Sequence, residues 1–396
     1  MSGSDSLANK RRVLHVLTSE AWGGLEYYAC TLAVALHKAG VESYFACNPE
    51  SRVGEFVQAH GLPYLPLFHR RLPHPSDVVR LRRFVAGNQI SVVHSHYHSD
   101  VWLASIALRW KASLRRVRFF HSFYMGMIPK RDFLHAWIYR RVDGFFVSSR
   151  KFLDEVKECI PAAANKGYVL PYGRDLSQFQ HDFSRRAAVR KSLNVDKDTL
   201  LVGVMARIDP GKGIREFVES YLLLPDDVRE HTVYLVMGEP TIKRSGLGRV
   251  VYEPACEVYS EEIHKFVKLH RLEGRVRFIG FQRDYIPFLD AMDVFVLPSH
   301  AETYSLSALD AMAMSLPVVG TNSGGTPEQI KDGVNGFLIE PKNAAAIAAA
   351  IQRYYLDPKL RKEHGINGRR FVESNHDLRQ TISQMLSFYG LPEVTS

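Results

Sequence analysis

Short runs of β-branched and aromatic residues alternate with longer amphipathic stretches along the whole chain. The first half offers RVLHVL (12–17), VESYFAC (41–47), PYLPL (63–67), SVVHSHY (91–97), RVRFFHS (116–122), GFFVSS (144–149) and GYVLPYG (167–173). The second half offers LLVGVMA (200–206), TVYLVMGE (232–239), RVRFIGF (275–281), DVFVLP (293–298), PVVGT (317–321) and GFLIEP (336–341). Runs that stay apolar on consecutive positions predict strands buried on both faces, as in parallel sheets covered by helices. Thirteen such strands are too many for one ordinary doubly wound sheet. The expected class is therefore α/β, with two doubly wound, Rossmann-like domains facing across a cleft. The boundary falls near PYGRDLSQF (171–179), which gives domains of 1–180 and 181–375 and a helical end over 376–396.

Length agrees, since 396 residues exceed what a single core usually supports. No apolar run approaches the roughly 18 residues of a membrane span. The run after Lys10-Arg11-Arg12 reads as a strand, too short for the core of a secretion signal. Cys30, Cys47, Cys159 and Cys256 are scattered, with neither metal spacing nor a disulfide framework, which predicts a reducing, cytoplasmic setting.

Charge changes the picture more than composition does. Residues 1–180 carry 24 Lys/Arg against 14 Asp/Glu, whereas 181–396 carry 27 and 28, so the formal charge of +9 belongs to the first part. HRRLPHPSDVVRLRRF (69–84), RWKASLRRVRFF (109–120) and PKRDFLHAWIYRRV (129–142) mix those cations with large apolar side chains. Such a face attracts phosphates or an anionic membrane surface. It is equally the pattern of arginine stems lying over apolar surface. A nucleic-acid partner is not expected.

In parallel α/β domains ligands bind beyond the carboxyl ends of the strands, and the candidate chemistry clusters there. Gly23 and Gly24 follow the first strand and open an amphipathic helix, an arrangement that suits a phosphate or a simple turn. It is neither the GxGxxG fingerprint nor a Walker loop. His94, His96 and His98 alternate at a strand end, and His121 ends the next strand and faces the same crevice. They read as polar contacts or as satisfied structural histidines; no acid or Cys cluster completes a metal site. Arg207 and Lys212 flank a glycine-rich turn in ARIDPGKG, which makes a pyrophosphate clamp or a solvated loop. In HAETYSLSALDAMA (300–313), Glu302 and Asp310 have seven residues between them. Thr303, Tyr304, Ser305 and Leu306 place free backbone amides at a helix start. Ser307-Ala308-Leu309-Asp310 also has the form of a capping box, so Asp310 has a structural reading; Glu302 has none as simple. Gly324, Gly325 and Glu328 reach the same rim.

Together these residues resemble the retaining, nucleotide-sugar-dependent glycosyltransferases of group 1, with the GT-B fold. That pattern has an acid, seven residues, a second acid, Ala311-Met312-Ala313, Pro317-Val318-Val319 and Gly324-Gly325-Thr326-Pro327-Glu328. It continues through Asp332 to Gly336 and includes Gly23-Gly24-Leu25-Glu26, the His94/His96 strand end, Pro171 to Asp175, and Arg207 with Lys212. The resemblance implies that the first domain takes the acceptor and the second the sugar nucleotide, with the helix near Leu378–Phe388 crossing back. It further implies that Arg207 and Lys212 neutralise the departing diphosphate, Glu302 holds sugar hydroxyls, Asp310 holds the ribose, Gly24 lies near the phosphates, and His121 lies near the transferred sugar. No metal cofactor is implied. The donor expected is a UDP-sugar in preference to a GDP-sugar. The acceptor expected is a carbohydrate, lipid-linked or of lipopolysaccharide type, at the inner face of the membrane. The same family also contains enzymes acting on small soluble acceptors, and a silent sugar-nucleotide-binding homologue would look alike. Two departures stand out: the second acid is Asp310 instead of Glu, and Thr303 and Ser305 replace the glycines usual after the first acid.

Overall fold

The computed structural model describes residues 11–109, 112–126, 128–246 and 249–392. They form two compact α/β units, each built on one parallel sheet. The first contains the chain to Gly173, residues 242–251, and the segment from Leu378 onward; the second contains Arg174–Thr241 and Tyr252–Asp377.

In the first unit the strands are β1 (Arg12–Val16), β2 (Glu42–Cys47), β3 (Tyr64–Pro66), β4 (Val92–Ser95), β5 (Arg118–Ser122), β6 (Gly144–Val147) and β7 (Gly167–Val169). Their order is β3-β2-β1-β4-β5-β6-β7, with every pairing parallel. The second unit has β8 (Leu200–Met205) and β9 (Thr232–Met237). After a separate two-stranded pair, β10 (Ile242–Gly246) and β11 (Arg249–Tyr252), come β12 (Val276–Phe278), β13 (Val294–Leu297), β14 (Val318–Thr321) and β15 (Gly336–Ile339). The second sheet runs β12-β9-β8-β13-β14-β15, again parallel throughout.

Each of the thirteen apolar runs marked in the sequence contains a strand, usually trimmed by a residue or more at its ends. The pair β10–β11 was not foreseen, because IKRSG and RVVY are too short and too charged for a doubly buried strand. Consecutive burial along β4, β6, β9, β13 and β14 bears out the pattern from which parallel sheets were expected. One exception shows the register at work. His121 pairs with Ser95 and His94 with Phe120, so His121 points to the opposite face of the sheet from His94. The shared crevice expected for these histidines is corrected accordingly. β4 also stops at Ser95, which leaves His98 in a turn beyond the strand.

The helix Leu378–Phe388 packs with the first unit against the helix Gly24–Lys38. Tyr389 behind it is fully buried, its ring 5.0 Å from that of Phe120, while Phe388 packs 4.4 Å from Tyr168.

Sheet order places the functional edge. Strand order reverses between β1 and β4 in the first sheet and between β8 and β13 in the second. Chains leaving such neighbours go to opposite faces and open a crevice at the carboxyl ends. The second crevice is braced from below. Asp290 accepts bonds from Arg185 (2.7 Å), His181 (2.9 Å) and the amide of Asp182 (3.1 Å), and Asp293 holds Arg186 (2.5 Å) and Arg190 (3.1 Å). These bonds fasten the helix Phe183–Ser192 beside the start of β13. Arg185 and His181 keep access to water, so Asp290→Ala strands no buried charge; the lost hydrogen bonds are expected to cost about 1–3 kcal/mol of unfolding free energy in chemical denaturation.

Candidate functional site

β8 ends at Met205 and delivers Arg207 half-buried at the second crevice, with no ion-pair or hydrogen-bond partner among the described residues. A turn at Pro210–Lys212 follows, its start fixed by the Asp209 carboxylate accepting the Gly211 amide at 2.9 Å. Gly213 then takes φ +66°, and a Cβ there would stand 2.0 Å from the Pro298 carbonyl oxygen. Only a residue without a side chain allows this approach, and it brings Lys212 to the exit of β13. There the Lys212 ammonium lies 2.5 Å from Glu302 Oε1, which also accepts the Ser299 hydroxyl at 2.9 Å. His300, whose amide bonds Gly211 O, is held by Glu216 at 2.8 Å. The turn after β14 closes the other side. Gly324 has φ +54°, a Cβ on it would fall 1.7 Å from Glu302 O, and the Gly325 amide donates to that carbonyl at 2.8 Å. Lys212, Glu302 and the Gly324-Gly325 turn are thus brought together, Arg207 lies beyond the end of the neighbouring strand β8, and Glu328 is exposed.

The stretch 303–306 differs from its expected form. Ser305 caps the helix Leu306–Ala313, accepting the Ala308 amide at 3.2 Å, so the cap lies two residues before the Ser307–Asp310 box read from the sequence. The Ser305 amide is not free: Gln329 accepts it and donates back to Ser305 O, both at 2.8 Å. Tyr304 is buried, its hydroxyl 3.0 Å from His376 Nε2. Thr303 and Leu306 are half-buried at the loop and the first turn.

Asp310 caps nothing. It sits one turn into that helix, 3% exposed, with Arg174 at 2.5 Å on one carboxylate oxygen and the Tyr285 hydroxyl at 2.9 Å on the other. Arg174 also donates to Tyr285 at 3.0 Å, closing a buried three-membered network. Burial pushes the Asp310 carboxyl above its ordinary range, and Arg174 and Tyr285 pull it back. The sequence pattern contains Asp310 and, in Pro171–Asp175, Arg174, but does not pair them, and it omits Tyr285. Tyr285 gives no local signal, but Arg174 inside an apolar turn, PYGRD, was a cue for a buried counter-charge.

In the first unit, Gly23 precedes the helix Gly24–Lys38, and Glu26 in its first turn accepts the Gly23 amide (2.9 Å) and the Ser19 hydroxyl (2.7 Å). The glycine turn is therefore internally tied. His94 spends both ring nitrogens on Tyr389 (2.6 Å) and Ser122 (2.8 Å), and His96 spends both on Tyr124 (2.9 Å) and His15 (3.0 Å). His121 bonds Ser95 at 2.8 Å. Burial holds His94 and His96 well below the usual imidazole value and takes His15 and His121 down to about 3, so all four are neutral. Ring nitrogens of His15, His94 and His96 lie within 4.8 Å of one another, a spacing that could hold a metal ion only by displacing those bonds.

Asp100 grips the first strand's exit, accepting the Thr18 hydroxyl at 2.6 Å and its amide at 3.1 Å. Burial outweighs those bonds and pushes its pKa up to about 6 from 3.8. Between these values the folded protein keeps a proton that the unfolded chain has released. The contribution to stability is full below the lower value and lost as pH rises through the upper one. Relative to Asp100→Asn, wild type should lose about 3 kcal/mol between about pH 4 and pH 7, measured by denaturation at each pH.

Two family models account for most of the chain. Glycosyl transferases group 1 matches residues 185–371, and Glycosyltransferase Family 4 matches residues 22–178. D-inositol 3-phosphate glycosyltransferase of Saccharomonospora viridis is 25% identical over 93% of this chain and 89% of its own. Lipopolysaccharide core biosynthesis glycosyltransferase LpsE of Rhizobium meliloti is 31% identical over 48% of each chain. Anabaena HepE, whose structure was solved with UDP and glucose, superposes with a TM-score of 0.79 at 18% identity, over 95% of this chain and 98% of that one. With two parallel-sheet units of matching fold, the chain belongs to the group 1 glycosyltransferases and is an enzyme of the two-domain, Rossmann-like GT-B fold.

Proposed function

We propose that this enzyme transfers a sugar, with retention of configuration, from a nucleoside diphosphate donor to a lipid-linked or lipopolysaccharide-type acceptor. The observation that carries the donor half is Lys212 beside Glu302 at the β8/β13 crevice, with Arg207, unpaired among the described residues, beyond the end of β8. Two cations at a strand end suit a diphosphate, and they act where negative charge grows as the bond to the leaving group breaks. Glu302, relieved of Lys212, turns to sugar hydroxyls. Its position is set by backbone contacts on both sides and not by the salt bridge alone. Asp310 meets the ribose by giving up its bond from Tyr285 while Arg174 stays paired with its other oxygen. For Gly23, Gly24 and His121 the family pattern alone supports roles at the phosphates and the transferred sugar, and for His94 and His96 a role on the acceptor side. Fixed cations make a metal unnecessary for departure of the diphosphate, so a chelator should leave transfer unchanged.

UDP is favoured because HepE carries it, and a lipopolysaccharide-type acceptor because LpsE has that role and the first part of this chain is basic. A thermal-shift screen of UDP-, GDP- and ADP-sugars tests the donor. The matching donor at a hundred times its Kd should add about 2.7 kcal/mol of stability. Lys212→Ala should remove most of that gain, and Glu302→Ala should lower kcat/KM about a hundredfold or more with the fold intact. An unchanged shift in Lys212→Ala refutes the clamp, and the anomeric signal of the product by NMR checks retention. A thermal shift with a sugar nucleotide but neither transfer nor hydrolysis of it would identify a silent homologue.

A further inference from the structure

The first unit carries a surface that neither the donor crevice nor the fold uses. Two stretches leave carboxyl ends of its sheet, one after β3 and one after β5. The first exposes Phe68 (45%) and Leu72 (70%); the second exposes Ile128 (79%) and Phe133 (77%), with Met125 and Leu134 half out as well. Large apolar side chains exposed singly are ordinary, whereas several in company mark an interaction surface. Both stretches lie near the turn that holds His98. His69 packs edge-on against Tyr97 at 5.5 Å, and the His98 pKa is lowered by burial and then by the charges of Lys130 and His69.

Their charge is one-sided. Arg70, Arg71, Lys130 and Arg131 face a single acid, Asp132, within the two stretches. Asp132 is spent capping Leu134 and His135, and nearby Asp77 is spent on Arg70 and Arg80. A protein partner would ask for a groove or a complementary shape, whereas isolated apolar tips ringed by arginines match the acyl boundary and phosphate layer of a bilayer.

We propose that Leu72, Ile128 and Phe133, flanked by Arg71 and Arg131, form a docking surface for an anionic lipid bilayer. The tips enter the headgroup layer, and the arginines lie at the phosphates, each strengthening binding about fivefold. The proposal goes beyond the transfer reaction and stands without it.

The test is co-sedimentation of the full chain with vesicles of phosphatidylcholine alone or mixed with phosphatidylglycerol. Binding is expected to the mixed vesicles and to weaken with salt. Ile128→Asp with Phe133→Asp should lower it about tenfold or more, and Arg71→Glu about fivefold or more. Both variants should keep the wild-type melting temperature and the donor-dependent thermal shift, which separates this outcome from a failure of the donor reading. Absence of binding to mixed vesicles, undiminished binding by the Ile128/Phe133 variant, or wild-type self-association that this variant abolishes would each overturn the proposal.

Discussion

The loop that leaves β13 is gripped between two residues that have no side chain. Gly213 presses on the carbonyl of Pro298 and Gly324 on the carbonyl of Glu302, both at distances where a methyl group would collide. Both glycines have positive φ, so their turns and these approaches are one requirement. Everything at the second unit's crevice follows from that grip. Lys212 is carried in by the first turn, the Gly325 amide by the second, and the Glu302 backbone is held between them. The Glu302 carboxylate is then placed by Lys212 and by the Ser299 hydroxyl.

Much of this was legible in the sequence. Parallel sheets announce themselves because a strand buried on both faces cannot hide its composition, and VFVL and VVGT are such strands. Arg207, Lys212, Glu302 and the Gly324-Gly325 turn could be grouped because strand ends of a parallel sheet share an edge. Two kinds of information were missing. The first is register: His94 and His121 end neighbouring strands, but a one-residue offset sends them to opposite faces. The second is long-range pairing. Nothing near Asp310 reveals that its counter-charge lies at Arg174, 136 positions earlier, or that Gln329 takes the amide of Ser305.

Asp310 shows what the loss of one methylene accompanies. The carboxylate lies inside the helix face among buried residues, where a lone charge would be costly, and Arg174 and Tyr285 supply the compensation. Asp310 is therefore part of the packing of its domain. Glu302 differs, since it is half-buried and its partner Lys212 is part-exposed.

Tyr389 closes the argument from the other end of the chain. Its hydroxyl satisfies His94 and its ring fills space beside Phe120, in the unit built mainly from the first 173 residues. The part of the polypeptide made first is thus the part completed last. Until Tyr389 is in place, His94 lacks one of its two partners and the ring of Phe146 lacks one of its neighbours. Within this unit the order of synthesis and the order of completion run in opposite directions.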